Sequence, residues 1–292
     1  MKQSVRYWRE KYRESLAGVH PQEEVDALFN LVLESELEWS KADFLLRQDF
    51  TPTDDQCSAL RHVLSLLQAG KPLQYILQRA HFYDMELYVD EHVLIPRPET
   101  EELVHLILDD LAPDSLASIL DIGTGSGCIP IALKKNRLLT RVYAGDISLE
   151  ALSVAKRNAA QQQVEVDFFS MDVLQTVKQA WPWSPSKLDV IVSNPPYVPK
   201  AEKTEMARHV LDHEPHLALF VDDADSLVFY RQIAHFAKSE LKTGGRLYFE
   251  IHADKGSEML ALLTACGFEK LELFKDLSGR DRMIRCVNGH QQ

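Results

Sequence analysis

Apolar residues recur every three or four positions through about the first 70 residues, which is the spacing of helices that bury one face. Thr53 and Gln56 form a plausible capping box that opens a further helix, and Gly70 ends it. We therefore predict a small helical bundle as an N-terminal domain of residues 1–75, which holds no catalytic constellation. The apolar positions of its first two helices are Val5, Trp8, Tyr12, Leu16, Val25, Leu28, Phe29, Val32 and Leu33.

The pattern changes between residues 80 and 95, where short apolar stretches are separated by polar residues in a β-rich composition. This predicts a β-hairpin that turns near Asp90-Glu91, within a linker of residues 76–98. Two prolines then bracket Arg97, and the apolar spacing of the following segment predicts a helix from about Thr100.

From about residue 115 onward, strand-like and helix-like stretches alternate, which predicts an α/β domain over residues 99–292. Its sheet should be mostly parallel and covered by helices on both faces. The last two strand-like segments, FEKLELFKD and DRMIRCVN, are separated only by LSGR. So short a connection predicts that they pair antiparallel at one edge.

Charge and composition narrow the possible functions. A formal net charge of -12 disfavours tight binding to a phosphate backbone. The N-terminus lacks the apolar core of a secretory signal, and no apolar run approaches the roughly 18–20 residues of a membrane helix. The four cysteines are scattered without a CxxC pair. We expect a cytoplasmic protein without disulfides, a membrane segment or a direct nucleic-acid partner.

A glycine-rich loop follows the first strand of the α/β domain. Ile119–Ile122 leads into Gly123-Thr124-Gly125-Ser126-Gly127, and Asp146 ends the next strand, where its carboxylate could accept both hydroxyls of a ribose. A dinucleotide loop would need a third glycine at Cys128, and a P-loop would need Lys-Ser/Thr. The G-x-G-x-G spacing fits the S-adenosylmethionine loop of Rossmann-like methyltransferases better, although a purely structural turn remains an alternative.

Two further strand ends carry candidate residues. Asp172 and Val173 follow the third strand, where the acid could accept a hydrogen bond from an adenine amine, or could be only a helix cap or a surface acid. The fourth strand runs into Asn194-Pro195-Pro196-Tyr197. The Asn194 side-chain oxygen and the Pro195 carbonyl could together accept both N–H hydrogens of a planar amide or aromatic amine. Tyr197 could pack on that planar group, and the prolines would keep the acceptor rigid.

Three other features have ordinary explanations. His209, His213 and His216 do not have the H-E-x-x-H spacing of a zinc helix, so we predict no metal site. Trp181-Pro182-Trp183 lacks basic neighbours and is better explained as a packed loop than as a platform for stacking nucleotides. Arg97 is either a substrate contact or a salt-bridged linker residue, and the sequence favours neither.

The ordered segments IPRPETEELV, LDIGTGSGCIPIAL, GDIS, SNPPYV, EPHLALF and DLSGRDRMI resemble the HemK/PrmC class of S-adenosylmethionine-dependent glutamine methyltransferases over nearly the whole chain. The resemblance implies a Rossmann-like class I methyltransferase sheet behind the helical domain. It implies that residues 123–127 hold the methionine part of the cofactor, Asp146 its ribose, and Asp172 with Val173 its adenine. It further implies that residues 194–197 bind the glutamine amide, with Asn194 also bordering the cofactor.

The same resemblance implies a reaction and a partner. The family methylates the glutamine of the Gly-Gly-Gln loop in peptide-chain release factors and leaves S-adenosylhomocysteine. Two alternatives share the NPPY motif: a glutamine methyltransferase of a ribosomal protein, and an adenine-N6 methyltransferase of nucleic acid. A binding-only module is a third. The chain departs from the family pattern at Val221-Asp222-Asp223 and at His252.

Overall fold

The computed structural model describes residues 3–175, 181–184, 186–206 and 208–289. The helices within these ranges are α1 (Val5–Leu16), α2 (Gln22–Leu37), α3 (Lys41–Leu46), α4 (Asp54–Gln68), α5 (Leu73–Leu77), α6 (Pro98–Asp109), α7 (Cys128–Asn136), α8 (Leu149–Gln161), α9 (Arg208–His213), α10 (His216–Leu219), α11 (Val228–Glu240) and α12 (Gly256–Ala265). The strands are β1 (Ala80–Phe82), β2 (Met85–Leu87), β3 (Ser118–Ile122), β4 (Arg141–Asp146), β5 (Asp167–Ser170), β6 (Leu188–Ser193), β7 (Val198–Pro199), β8 (Phe220–Val221), β9 (Leu241–Glu250), β10 (Phe268–Lys275) and β11 (Asp281–Asn288).

The chain divides into two compact units. One comprises Met1–Gln78 with Ala207–His213, and the other comprises Arg79–Met206 with Glu214–Gln292. None of the helices in the described ranges has the length and apolar character needed to cross a membrane.

The first unit is the predicted helical bundle. All four predicted apolar positions of α1 are at most 1% exposed, and the Tyr12 hydroxyl donates a 2.7 Å hydrogen bond to the Leu60 carbonyl. The predicted capping box is confirmed, since the Thr53 side chain accepts from the Gln56 N–H and the Gln56 side chain accepts from the Thr53 N–H. Leu28 is only partly buried, whereas the other four predicted positions of α2 are buried.

The second unit is built on a seven-stranded sheet of order β10-β11-β9-β6-β3-β4-β5. The strands from β9 to β5 pair in parallel, whereas β11 pairs antiparallel with both β9 and β10. The predicted mostly parallel sheet with an antiparallel edge is therefore confirmed. Ile122 lies opposite Gly145 on one side and Ser193 on the other. This register brings the glycine loop, Asp146 and Asn194 to one edge of the sheet.

Large apolar cores cover both faces of the sheet, as expected for strands that are buried on both sides. The tryptophans at residues 181 and 183 belong to this packing. Their rings stack at 5.5 Å between centroids, and Trp183 is 4% exposed and donates its indole N–H to Glu240. The packed-loop interpretation is the one that the structure supports.

The hairpin turns earlier than predicted. β1 and β2 are joined at Tyr83-Asp84, where both residues have positive φ values, 47° and 57°, so the predicted turn at Asp90-Glu91 is wrong. Two-residue hairpin loops favour such φ values because they match the twist of the strands. The Asp90 carboxylate instead accepts hydrogen bonds from the Tyr88 hydroxyl and the His92 N–H, which makes a local turn after the hairpin.

The helix after the linker also begins earlier than the expected Thr100. Pro98 is its first residue, a position where the missing proline N–H costs nothing because that N–H would have no partner inside the helix. Thr100 consequently lies in the first turn of α6, with 3% of its surface exposed.

Asn158 of α8 joins the segment after the hairpin to the glycine loop. Its side chain is fully buried; Oδ1 accepts from the Tyr88 N–H at 2.7 Å, and Nδ2 donates to the carbonyls of Tyr88 and Ser126 at 2.9 Å each. These bonds satisfy three backbone groups that would otherwise be buried without partners. Asn158 thus holds the back of the loop in place.

Replacing Asn158 with Ala should lower the free energy of unfolding by about 2–3 kcal/mol, because it leaves those backbone groups unpaired in the interior. Chemical denaturation of both variants and the unchanged chain measures this. The matched control is Asn136→Ala, which removes one bond from an exposed side chain to the Ala132 carbonyl and should cost less than about 1 kcal/mol. Equal losses in the two variants would contradict the role assigned to Asn158.

Candidate active site

A cavity of about 360 Å³ opens at the carboxyl edge of the parallel strands, entirely within the second unit. Its walls come from the glycine loop, the ends of β4, β5 and β6, the start of α6, and parts of α10 and α11. All of the sequence-predicted site residues line it except two, Gly127 and Tyr197. The predicted residues in the lining are Arg97, Gly123, Thr124, Gly125, Ser126, Asp146, Asp172, Val173, Asn194, Pro195 and Pro196.

The glycine loop depends on a left-handed backbone. Gly123 and Gly125 have φ values of 76° and 53°, and a Cβ at either would meet nothing within 4 Å. Gly127 has a φ of 80°, but there a Cβ would come within 3.0 Å of Ala155 and Ile131. The first two glycines therefore leave room on the cavity side, whereas the third allows α7 to pack closely on α8.

The first N–H groups of the loop are already used inside the protein. Gly123 and Thr124 donate to the Gly145 carbonyl, and Gly125 donates to the Asp146 carboxylate at 2.8 Å. Cys128 and Ile129 line the cavity at the start of α7, where backbone N–H groups have no partner within the helix. Most N–H groups of the loop are therefore used inside the protein, and Ser126 lines the cavity together with the start of α7.

Asp146 ends β4 and shapes the loop while facing the cavity. Its second carboxylate oxygen accepts the Ser148 N–H at 2.9 Å. Burial raises the pKa of Asp146, and the hydrogen bonds from the backbone act in the opposite direction. Each carboxylate oxygen retains acceptor capacity for a ligand hydroxyl.

Asp121, the acid that precedes the glycine loop in the sequence, is buried and does not itself line the cavity. It is 0% exposed, neither carboxylate oxygen has a hydrogen-bond partner, and the nearby Thr124 hydroxyl is likewise buried without one. Burial raises the pKa of Asp121 to about 7; the neighbouring Thr124 hydroxyl acts in the opposite direction, and the Asp146 carboxylate adds to the increase. The available signal was an acid in the middle of an apolar strand, directly before the loop. A buried, unpaired carboxylate favours a cationic ligand group beside the loop.

The end of β5 forms an apolar slot. Asp172 accepts a hydrogen bond from the Leu174 N–H at 2.9 Å and so caps a short 3₁₀ turn, as the helix-cap interpretation held. It also lines the cavity, as a contact with adenine would require. Ile147 and Leu174 line the same region although they are 49% and 43% exposed. Sequence reasoning missed these two, and the signal was an apolar residue soon after each acid at a strand end. A flat apolar ring would fit this slot.

Asn194 follows β6 and takes part in a buried polar chain. Ser193 fastens the strand end by donating to the Ile122 carbonyl at 2.6 Å. Asn194 Nδ2 donates to Thr100 Oγ1 at 3.3 Å, and the Thr100 hydroxyl donates to Glu250 Oε2 at 2.7 Å. The Tyr197 hydroxyl donates to the other carboxylate oxygen of Glu250 at 3.4 Å. Sequence reasoning assigned no role to Thr100 or Glu250.

Arg97 shows features of both of its interpretations. Its guanidinium pairs with Glu214 at 2.5 Å, and Glu214 is 3% exposed and also accepts the Ile95 N–H. Arg97 nonetheless lines the cavity with about a third of its side chain exposed. The pair fixes the segment that carries the start of α6, while leaving part of the guanidinium available to a ligand.

In the parts of the chain that the structure describes, no group of three or more His, Cys, Asp or Glu residues is placed to hold a metal ion. The described cysteines, Cys57, Cys128, Cys266 and Cys286, are all free.

Solved structures share the fold of this chain. The catalytic domain of hMettl16 in complex with MAT2A 3'UTR hairpin 1 gives a TM-score of 0.56 at 18% identity, covering 76% of this chain and 80% of that one. A methyltransferase from Pyrococcus furiosus gives a TM-score of 0.50 at 14% identity, covering 70% and 89%. At such identities the likeness concerns the fold alone, and it confirms the predicted Rossmann-like methyltransferase sheet.

Sequence relationships are closer. Family models described as the PrmC N-terminal domain and the methyltransferase small domain match residues 8–77 and 102–230. A protein named release factor glutamine methyltransferase from Flavobacterium psychrophilum is 42% identical over 96% of this chain and 98% of its own. One of the same name from Bacteroides thetaiotaomicron is 42% identical over 93% and 96%. The chain belongs to the release factor glutamine methyltransferase family.

Proposed function

We propose that this enzyme transfers a methyl group from S-adenosylmethionine to the side-chain amide nitrogen, N5, of the glutamine in the Gly-Gly-Gln loop of peptide-chain release factors. The observation that carries the proposal is the position of Asn194 and Pro195 in the cavity wall, one strand away from the glycine loop. An amide acceptor pair beside a nucleoside-sized cavity suits transfer to a weakly nucleophilic nitrogen. A cytoplasmic location accords with such a partner and with the free cysteines.

The residues around the loop suit this cofactor. The Asp146 carboxylate has acceptor capacity for the two ribose hydroxyls, and the apolar slot at Val173 and Leu174 suits an adenine ring, with Asp172 beside it. Thr124 lines the cavity, and the negative charge of the Asp121 carboxylate buried behind it would favour the cationic ammonium end of the methionine part. When bound, S-adenosylmethionine supplies an electrophilic methyl group on its sulfonium sulfur.

The acceptor pair addresses the weakness of the nucleophile. The lone pair of an amide nitrogen is delocalised into the carbonyl group, so the nitrogen attacks poorly unless it is held in line. Asn194 Oδ1 and the Pro195 carbonyl would accept its two N–H hydrogens, which orients the nitrogen and stabilises the positive charge that develops on it. The ring of Pro196 keeps this turn rigid. Positioning of this kind supplies on the order of 7–11 kcal/mol in favourable intramolecular cases.

Tyr197 has a different position from the one predicted. It lies outside the cavity lining, with its ring against His252 at 5.9 Å between centroids and its hydroxyl on Glu250. A direct contact with the glutamine amide would therefore come from the ring edge or after local adjustment. Its role in substrate binding remains a proposal.

The alternatives are tested by the same assay. A ribosomal-protein glutamine would need the same acceptor pair, so only the choice of protein separates the two. Adenine-N6 methylation would require the enzyme to approach a phosphate backbone despite a net charge of -12. Labelled methyl transfer should therefore be measured on purified release factor, ribosomal proteins and DNA. Transfer to one of the last two, and not to the release factor, would overturn the substrate assignment.

Replacing Asn194 with Ala should lower kcat for the release factor by about 100-fold to 1000-fold, the scale found when one preorganised hydrogen-bonding group is removed from an active site. Cofactor affinity should change much less. Calorimetry gives the second quantity and single-turnover transfer the first, with Asn136→Ala as the surface control. Turnover that survives the loss of Asn194 would refute the acceptor role.

Replacing Asp146 with Asn should weaken binding of S-adenosylmethionine about 10-fold to 100-fold, because charge-assisted hydrogen bonds to the ribose are worth about 1.5–3 kcal/mol. Calorimetric titration measures this, and S-adenosylhomocysteine should show the same loss since it carries the same ribose. Asp167→Asn, an exposed acid at the start of β5, is the matched control. Undiminished affinity in the Asp146 variant would exclude the ribose contact.

A further inference from the structure

The polar chain behind Asn194 links two distant segments of sequence. Thr100 and Glu250 are separated by 150 residues, and they are 3% and 2% exposed. Thr100 comes from the first turn of α6 and Glu250 from the last residue of β9. Burying a carboxylate costs free energy unless it is well hydrogen-bonded. Glu250 is such a buried carboxylate, and Thr100 connects it to Asn194.

The number of hydrogen atoms available in this series of hydrogen bonds determines which group donates and which accepts at each bond. An ionised Glu250 carboxylate only accepts, so the single hydroxyl hydrogen of Thr100 must go to it. Thr100 Oγ1 then has only lone pairs left for Asn194, and the group of Asn194 that faces it must be the NH2. Asn194 Oδ1 is thereby left to accept a substrate N–H.

We infer that Thr100 and Glu250 are positioning residues that set which end of the Asn194 amide faces the substrate. The inference rests on the proposed acceptor role of Asn194 and extends it to two residues that do not themselves accept from the substrate. If the Thr100 hydroxyl instead donated to Asn194, the amide would turn over and present two N–H groups to the N–H groups of the glutamine. Catalysis requires the first arrangement.

Protonation of Glu250 permits the reversed arrangement. Burial raises the pKa of Glu250 to about 7; the Thr100 bond, Arg282 and the Tyr197 hydroxyl lower it, and Glu99 raises it. Two further groups border this region. The Tyr230 hydroxyl donates to the Glu250 backbone carbonyl, and the Glu250 charge contributes to raising the pKa of the buried Cys128 thiol. The ionised, productive form is present above the folded-state pKa, so activity should fall as the pH drops below about 7.

The first test removes the relay hydroxyl. Thr100→Val should lower kcat roughly 10-fold to 100-fold, the scale expected for misplacing a group that orients the substrate, with unchanged affinity for S-adenosylmethionine. Thr100→Ser, which restores the hydroxyl, should recover most of the loss. The matched control is Thr140→Val, since Thr140 is 2% exposed and donates its hydroxyl to the Arg137 carbonyl away from the site. Equal kcat in the Thr100→Val and Thr140→Val variants, or failure of serine to rescue, would overturn the inference.

The second test uses pH. In Glu250→Gln, the amide oxygen still accepts from Thr100 and the NH2 group faces Tyr197, but the side chain no longer titrates. We expect the acid limb near pH 7 in the kcat profile of the unchanged enzyme, measured at saturating cofactor, to disappear in this variant. An acid limb that persists unaltered would contradict the assignment.

Failure of the inference is distinguishable from failure of the proposed function. If the unchanged enzyme transfers no methyl group to release factor, the proposed function fails before any variant is made. The function stands and the positioning role is refuted if the unchanged enzyme transfers normally, Thr100→Val has the same kcat as Thr140→Val, and Glu250→Gln keeps the acid limb of the unchanged enzyme.

Discussion

The parallel hydrogen-bond register of the three central strands is the constraint on which the site depends. Ile122 of β3 lies between Gly145 of β4 and Ser193 of β6. The residues that follow these three therefore leave the sheet side by side. A slip of one residue would turn each strand-end side chain to the opposite face of the sheet. The cavity, the glycine loop and the amide acceptor thus share one cause, which is backbone pairing within an apolar sheet.

Buried polar groups are concentrated at this edge of the sheet. Asp121, Asn158, Glu214 and Glu250 are all at most 3% exposed there, although each costs free energy to desolvate. Hydrogen bonds to backbone groups or neighbouring side chains offset the desolvation free energy of Asn158, Glu214 and Glu250. Asp121 has no such partner within the described residues. The charge of Asp121 would favour a cationic ligand group beside the glycine loop.

The apolar periodicity was sufficient to predict α1, α2 and α4 of the first unit, the order of the longer strands and helices in the second, and the antiparallel edge, but it did not indicate the short elements α3 and α5. It failed at the hairpin turn, whereas the start of α6 at Pro98 lies close to the predicted position near Thr100. Tyr83-Asp84 is not a typical hairpin dipeptide, so nothing local marked it, whereas Asp90 had the composition of a turn. Pro98 could begin a helix as readily as precede one.

By itself, the sequence determined which residues end the parallel strands, and hence that a glycine loop, an acid and an Asn-Pro-Pro-Tyr turn meet at one edge. Short-range periodicity carries that information because each strand is recognisable alone. Only the tertiary structure decided what stands behind those residues. Thr100 hydrogen-bonds to Asn194, which lies 94 residues later in the sequence, and to Glu250, which lies 150 residues later. Asn158 hydrogen-bonds to both Tyr88 and Ser126. Contacts between distant segments arise from how helices pack on the sheet, which no local pattern encodes.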